Sequence, residues 1–218
     1  MAHVKRVVTV AGTTCLLLVV GRFYLWQPSA IAFWSWRAQT TDDTERHLAL
    51  NQLAGIGPRA IQGISKSLRH PNLIVRFNAA ETLGEIRHPD AIGFLAQALT
   101  DEAPMVQCMA ARSLADIGDK GAIPFLLERL VDRNTYVRFE AALALERLGD
   151  LTGVPILIDK LDNPRLGSIA EARLRGIAQK SFGLDKAAWR RWWAAEGASH
   201  MPDRFQVSEP PATAKPGG

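Results

Sequence analysis

Cysteine is scarce in this chain of 218 residues, which contains only Cys15 and Cys108. Because the two stand far apart and in different surroundings, they form neither a CxxC pair nor a disulfide framework. Charge of one sign is not in excess either, since 26 Lys and Arg against 22 Asp and Glu give a net charge of +4. This mild excess gives no support to nucleic-acid binding, and we predict none.

The common motifs of catalysis are also missing. The sequence has no G-x-S-x-G, no Gly-rich phosphate loop before a helix, and no cysteine with an evident base nearby. Two of the five histidines, His70 and His88, precede prolines in predicted loops, where a turn role is the simplest interpretation. We therefore assign no catalytic residue and no cofactor, and predict that the chain is not an enzyme.

The first 26 residues contain an apolar run. Lys5 and Arg6 precede an uncharged stretch, 7–21, that is rich in Val and Leu. This stretch is short for a membrane span, so Arg22 would reach toward the headgroups while residues 23–26 complete the hydrophobic length. We predict a single-pass transmembrane anchor over 1–26, with the N-terminus in the cytoplasm and the rest of the chain outside.

A cleaved export signal is the competing interpretation of the N-terminus. Ala30 and Ala32 stand in A-x-A spacing, which suits a cut after Ala32. In the anchored interpretation, residues 27–43 are a linker. At the other end, residues 198–218 have no apolar period and finish in Pro, Ala and Gly, which predicts a disordered tail.

A pattern with one fixed period runs through the middle of the chain, beginning with Val75, Val106 and Val137. Six further sets keep the same spacing: Ala79/Ala110/Ala141, Ala80/Ala111/Ala142, Leu83/Leu114/Leu145, Ile86/Ile117/Leu148, Ile92/Ile123/Val154 and Leu99/Leu130/Leu161. A weaker first copy supplies Ala49, Ile61 and Leu68. A fixed period of this length indicates stacked structural repeats, and the array closes near residue 164.

Each copy contains two predicted amphipathic helices. In residues 122–132, apolar residues recur at spacings of three and four residues. In the following segment, Val137, Ala141 and Leu145 recur at a spacing of four residues. Gly149 is placed to end that second helix, and short loops rich in Asp, Gly and Pro join the helices. Because no strand alternation appears, we predict an all-α fold, an α-solenoid of about four helical hairpins over 44–163.

Residues 122–150, AIPFLLERLVDRNTYVRFEAALALERLGD, carry a family resemblance. With Asp132 before the second helix and Val137-Arg138 opening it, the segment is similar to HEAT-like repeats of the short bacterial type. Such repeats are also found in phycobilisome lyases and deoxyhypusine hydroxylase. The resemblance implies a scaffold for protein-protein interaction. The alternative it implies is a protein or lyase subunit related to the phycobilin lyases that holds a tetrapyrrole.

In related solenoids the second helices line the concave surface. At about 100° per residue, the side of the second helix opposite Val75 and Leu83 falls near Phe77 and Glu81. The predicted protein-binding residues on this surface are Phe77, Glu81, Met109, Arg112, Phe139, Glu140 and Leu143. We expect the rings and Leu143 to be apolar anchors and the charged residues to set polarity.

The same positions argue against a metal centre. The hydroxylase resemblance implies a His-Glu pair directly after the opening Val-Arg, as iron ligands. This chain has Phe77-Asn78, Cys108-Met109 and Phe139-Glu140 at those places. Because the single carboxylate of Glu140 does not hold a transition metal, we predict no metal site.

Arg76 and Arg138 occupy equivalent positions that suit a structural role. We predict that each pairs with an acidic loop residue of its own or the next repeat and holds successive hairpins in register. Only Asp132 with Arg138 fits this pattern well, since the second copy has Asp101 but Gln107.

All six tryptophans lie outside the repeats. They are Trp26, Trp34, Trp36, Trp189, Trp192 and Trp193. Residues 182–197 predict a helix that Asp185 caps and Gly197 ends, with three tryptophans on one face. We favour a capping unit over 164–197 that closes the repeat array, while a membrane-interface helix is the alternative, since residues 164–191 are rich in Lys and Arg.

Overall fold

The computed structural model describes residues 28–40 and 42–197. The α-helices in these ranges are α1 (Pro28–Arg37), α2 (Asp43–Ile56), α3 (Ile61–Ser65), α4 (Leu73–Ile86), α5 (Ile92–Ala98), α6 (Pro104–Ile117), α7 (Ile123–Arg129), α8 (Thr135–Arg147), α9 (Val154–Asp159), α10 (Gly167–Ala178) and α11 (Lys186–Glu196). Short 3-10 turns span Gly57–Ala60, Lys66–Arg69, Pro89–Ala91, Lys120–Ala122 and Leu151–Gly153. The described part of the chain contains no strand, so the all-α prediction is confirmed.

The helix bounds repeat with the period of the sequence. Second helices of three copies begin at Leu73, Pro104 and Thr135, which are as evenly spaced as Val75, Val106 and Val137. First helices begin at Ile92, Ile123 and Val154, with the same spacing and with a 3-10 turn directly before each. Helical repeats of this period are the architecture that the sequence predicts.

Equivalent loops are closed by equivalent hydrogen bonds. His88 Nδ1, Asp119 Oδ1 and Asp150 Oδ1 each accept from the backbone N–H two residues ahead, at 3.3, 2.7 and 3.0 Å. The loops that lead into α4, α6, α8 and α10 contain the same bond. Their acceptor side chains are those of His70, Asp101, Asp132 and Asn163. The prediction that His70 and His88 are turn residues is confirmed, since imidazole nitrogen takes the place of a carboxylate oxygen.

The chain divides into two compact units, Met1–Ala122 and Ile123–Gly218. In the described part of the first unit, α4 packs between α2 and α6, and α1 packs against α2. Leu53, Leu83 and Leu114 are fully buried in its core. α4 and α6 approach closely at Gly84, where an added Cβ would lie 2.6 Å from the Ser113 Cβ.

Arg76 ties two successive loops of the first unit together. Its guanidinium donates to the backbone carbonyls of His70 and Pro71 at 2.8 and 3.0 Å. It also forms ion pairs with Asp101 at 2.8 Å and Glu102 at 2.9 Å. The hydrogen bond to Asp101 raises the pKa of Arg76 above its ordinary value. The predicted register role, with the acid supplied by the next repeat, is confirmed for Arg76.

Arg138, the equivalent residue of the second unit, repeats the two carbonyl contacts of Arg76. Its Nη1 donates to the backbone carbonyls of Asp132 and Arg133 at 2.6 and 3.1 Å. The Asp132 carboxylate instead accepts from the Asn134 N–H at 2.7 Å, which closes the turn. The predicted Asp132–Arg138 pairing therefore holds through the main chain of Asp132 rather than its carboxylate. The two arginines differ because the next repeat supplies Arg76 with the carboxylate of Asp101, while the position that follows Arg138 in the same way is the uncharged Asn163.

The second unit encloses an apolar cluster shared by α8, α9, α10 and α11. Its buried members include Phe139, Val154, Leu157, Leu161, Leu166, Leu174, Trp189 and Trp192. Trp189 is fully buried, packs edge to face against Phe182 and Trp192, and donates from Nε1 to the Gly183 carbonyl at 2.8 Å. Asp185 caps α11 as predicted, since its Oδ1 accepts from two N–H groups of the first turn.

The two ends of the chain are outside the described residues. The predicted anchor over 1–26, the whole tail over 198–218 and the start of the linker all fall there. Among the helices that the structure describes, none combines the length and the apolar character needed to cross a membrane.

Candidate protein-binding surface

α4 and α6 expose a set of side chains that point away from the core of the first unit. We call this set the stripe, and its members are Ile74, Phe77, Glu81, Met105, Met109 and Arg112. The residues follow one another at three and four along each helix, so each helix presents them on one face. α4 and α6 pack against each other, so the two faces belong to neighbouring helices.

The stripe is apolar at the start of its two helices. Ile74 is 39% exposed and Met105 is 53% exposed, which is unusual for side chains of this size and kind. Phe77 and Met109 are half-buried beside them. A run of large apolar side chains that stays open to solvent is a feature of interaction surfaces.

The far end of the stripe carries charge. Glu81 and Arg112 are both exposed, one on each helix. Glu85 lies one turn beyond Glu81, and burial together with the charge of Glu81 raises the pKa of the Glu85 carboxyl above its ordinary value. This end of the stripe therefore carries charges of both signs, two carboxylates on α4 and one guanidinium on α6.

Four of the predicted site residues are therefore brought together, namely Phe77, Glu81, Met109 and Arg112. Ile74 and Met105 were missed, although they are the most exposed apolar members of the stripe. The sequence contained a signal for them, since Ile74, Met105 and Tyr136 recur with the period of the repeat, one turn before Phe77 and its equivalents. Tyr136 is also exposed, at 42%, in the second unit.

The prediction that Phe139 is an exposed anchor is wrong. Only 1% of Phe139 is exposed, and it belongs to the apolar cluster of the second unit. Leu143 also packs against that cluster and, like Glu140, is half-buried. The helical-wheel argument failed because α8 shares an apolar cluster with α9, α10 and α11, so that its outward face is partly used for packing.

The described residues gather no group of three or more His, Cys, Asp or Glu side chains placed to hold a metal ion. Cys108, a half-buried thiol, lies on α6 beside Met109. The surface thus offers apolar contact area and charge rather than a ligand set.

These features define an all-α helical-repeat protein. The family model of HEAT repeats matches residues 31–104 and 92–178, more than half of the chain. The chain belongs to the HEAT-repeat family.

Comparison with solved structures finds similar chains. Human deoxyhypusine hydroxylase in complex with glycerol is 24% identical over 73% of this chain, with a TM-score of 0.54, and this chain spans 65% of its length. The complex of CpcE and CpcF of phycocyanin lyase from Nostoc sp. PCC7120 is 23% identical over 78% of this chain and 96% of that chain, with a TM-score of 0.46. No curated protein matches the sequence. At these identities the likeness concerns the fold and carries no activity to this chain.

Proposed function

We propose that this chain is a non-catalytic HEAT-repeat scaffold that binds a segment of a partner protein on the stripe of its first unit. The observation that carries the proposal is the exposure of Ile74 and Met105 beside Phe77, at positions that recur in successive repeats. Exposing such side chains costs free energy in water, and a docked partner would recover it. Helical repeats are suited to this because they present long surfaces.

The polarity of the stripe indicates how a partner would lie. Its apolar side chains would contact Ile74, Phe77 and Met105, while a Lys or Arg would approach Glu81 and Glu85. The charged contacts would set orientation and contribute mainly to the rate of association, while the apolar contacts would supply most of the affinity.

A charge placed in the apolar part tests the stripe. We expect Met105→Asp to abolish capture of the partner that the wild-type chain retains, with little change in melting temperature, because Met105 is exposed. Val131→Asp is the matched control, since Val131 is 87% exposed and lies in the other unit. A photo-crosslinking residue at position 105 should give an adduct that one at position 131 does not. Equal capture by wild type and Met105→Asp would show that the stripe is not the binding surface.

A bilin-binding experiment distinguishes the scaffold proposal from the tetrapyrrole alternative. Mixing the purified chain with a bilin should leave the absorbance spectrum of the bilin unchanged. A shift at stoichiometric bilin would favour the lyase-like alternative.

We also propose that α10 and α11 close the end of the repeat array. Support comes from Trp189 and Trp192, whose burial against α9 keeps the last hairpin from exposing its apolar face. Lys186 adds ion pairs to Asp159 at 3.0 Å and Asp162 at 3.2 Å. Removing residues 182–218 should therefore leave an insoluble chain, and a soluble, folded product would contradict the proposal.

For the N-terminus we propose, on the sequence alone, a membrane anchor with the repeats outside the cytoplasm. Support comes from the basic residues and the apolar run before residue 27. Fractionation with intact-mass measurement of the full-length chain tests it. A full-length chain in the membrane fraction, digested by protease from outside, is expected. A soluble chain starting at Phe33 would replace the anchor with a cleaved signal.

A further inference from the structure

A second groove lies on the first unit, between residues 62–69 and α5. Its volume is about 510 Å³, and Gln62, Lys66, Arg69, Phe94 and Gln97 line it. None of its lining residues belongs to α4 or α6, so the groove is separate from the stripe. It is a surface built by the first helices of two successive hairpins.

The groove carries an excess of positive charge. Lys66 and Arg69 are exposed, and Lys66 has no carboxylate partner among the described residues. Within the same part of the chain, the Arg69 side chain donates to the neutral Gln97 Oε1, at 3.5 Å. The one acid in the lining is Asp101, and its two carboxylate oxygens already accept from Arg76 at 2.8 and 3.0 Å. The two exposed cations are therefore not neutralised within the groove.

The repeat framework does not require these cations. Positions equivalent to Lys66, one and two periods ahead, are Gln97 and Glu128. Positions equivalent to Arg69 are Thr100 and Val131. The later copies form their first helices, Ile92–Ala98 and Ile123–Arg129, without a cation at either place, whereas Lys66–Arg69 is a 3-10 turn particular to the first copy.

We infer that this groove binds an acidic, extended peptide segment of a partner protein. Lys66 and Arg69 would pair with Asp or Glu side chains of that segment, and Arg69 can do so through two parallel N–H donors. The amides of Gln62 and Gln97 can both donate to and accept from a peptide main chain. Phe94 and Leu68, which are half-buried, supply the apolar contact between the polar groups.

A peptide fits this lining better than a nucleic acid does. Binding along a phosphate backbone depends on many cations arranged in a row, and this groove has two. Amide and apolar groups placed beside two cations instead match a ligand that alternates carboxylates with main chain and apolar side chains. The inference goes beyond the stripe, because it adds a second surface for a ligand of different charge.

Selection from a random-peptide display library on the immobilised full-length chain tests the inference. Peptides enriched in Asp and Glu beside an aromatic or aliphatic residue are expected. A fluorescein-labelled copy of a selected peptide is then titrated by anisotropy against wild type and against K66E/R69E. The double variant should bind at least about tenfold more weakly, because it replaces both charge-assisted pairs with repulsion. Affinity should also fall as salt rises.

The control variant is K120E/R133E, which makes the same change of net charge at two exposed residues outside the groove. It should bind the peptide as the wild type does, and both variants should keep the wild-type melting temperature.

Four outcomes would contradict the inference. Selected peptides without acidic enrichment, or equal weakening of binding by the two variants, would overturn it. Displacement of the peptide by a single-stranded oligonucleotide that binds more tightly would overturn it in favour of a nucleic-acid ligand. Loss of binding in Met105→Asp but not in K66E/R69E would place the peptide on the stripe instead.

Discussion

Phe77 and Phe139 occupy the same position in two copies of the repeat, yet the two units treat them differently. Phe77 in the first unit is half-buried and adjoins exposed apolar neighbours. Phe139 in the second unit lies inside an apolar cluster with residues of α9, α10 and α11. The second unit includes the helices that follow the last repeat, and these add the tryptophans that enlarge its core.

This comparison shows that a repeat position has no single role. The same helix face can be a surface for binding in one copy and a packing face in another, depending on which elements the chain places nearby. The first unit therefore carries the candidate binding surfaces, and the second carries a larger share of the aromatic core.

Truncating the two rings should give the largest contrast. Phe139→Ala is expected to lower the free energy of unfolding by about 3–5 kcal/mol, because it leaves a cavity in a closed cluster. Phe77→Ala should cost less than about 1.5 kcal/mol, because the ring keeps part of its contact with water. Urea unfolding followed by circular dichroism measures both. Equal losses would mean that Phe77 is also a core residue and that the stripe is ordinary packing.

The two equivalent arginines should give the next contrast. Arg76→Met removes one partner of an ion pair whose side chains are 7% and 10% exposed, and should cost about 3 kcal/mol. Arg138→Met removes hydrogen bonds to two backbone carbonyls, and should cost about 1 kcal/mol. Chemical denaturation again reports the difference. If Arg138→Met were the more damaging, the register role assigned to Arg76 would be wrong.

Close helix approach can be tested with one methyl group. A Cβ at Gly153 would lie 2.7 Å from the Cα of Ala142, so Gly153→Ala should destabilise the second unit by about 1–3 kcal/mol. Gly93 in α5 has open space around its Cβ direction, so Gly93→Ala should stabilise the first unit by about 0.5–1 kcal/mol. Thermal melting of the two variants should therefore shift in opposite directions. A stable Gly153→Ala would show that α8 and the 151–153 turn can move apart.

The smallest effect expected is a pH dependence in the second unit. The hydrogen bond from Lys186 lowers the pKa of Asp159 below its ordinary value. The stabilisation is therefore present above the unfolded-state pKa and is lost as the pH falls through the folded-state pKa. Because Asp159 is half exposed, the contribution should be less than about 1 kcal/mol. Lys186 Nζ also donates to the Asp159 backbone carbonyl at 2.9 Å, a bond that acid does not remove. The loss of stability in Lys186→Met should therefore be larger at neutral pH than in acid, and a loss that does not shrink in acid would contradict the pairing.

The repeat architecture could be predicted from sequence because it depends on local signals. Val75, Val106 and Val137 mark the period, and turn residues such as Asp119 and Asp150 close loops by bonds to neighbours two residues away. The stripe was predictable in part, since Phe77 and Glu81 follow from the helix period alone. The same helix-period argument, applied one helical turn before Phe77 and its equivalents, would also have predicted Ile74 and Met105.

Other features could not be predicted because they depend on contacts between distant parts of the chain. The groove at Lys66 and Arg69 exists because residues 62–69 and α5 come together, and the sequence pattern does not reveal that Asp101 is already paired with Arg76. The burial of Phe139 likewise depends on α9 and the helices after it.

The sequence by itself determined the all-α class, the period of the repeat, the turn chemistry and the cap of α11 by Asp185. Each of these rests on interactions within a few residues, where spacing along the chain is also spacing in space. Only the tertiary structure decided which outward faces stay open, which rings enter the core and which charges are neutralised. Those properties depend on what packs against a residue from another element, and linear order does not specify that.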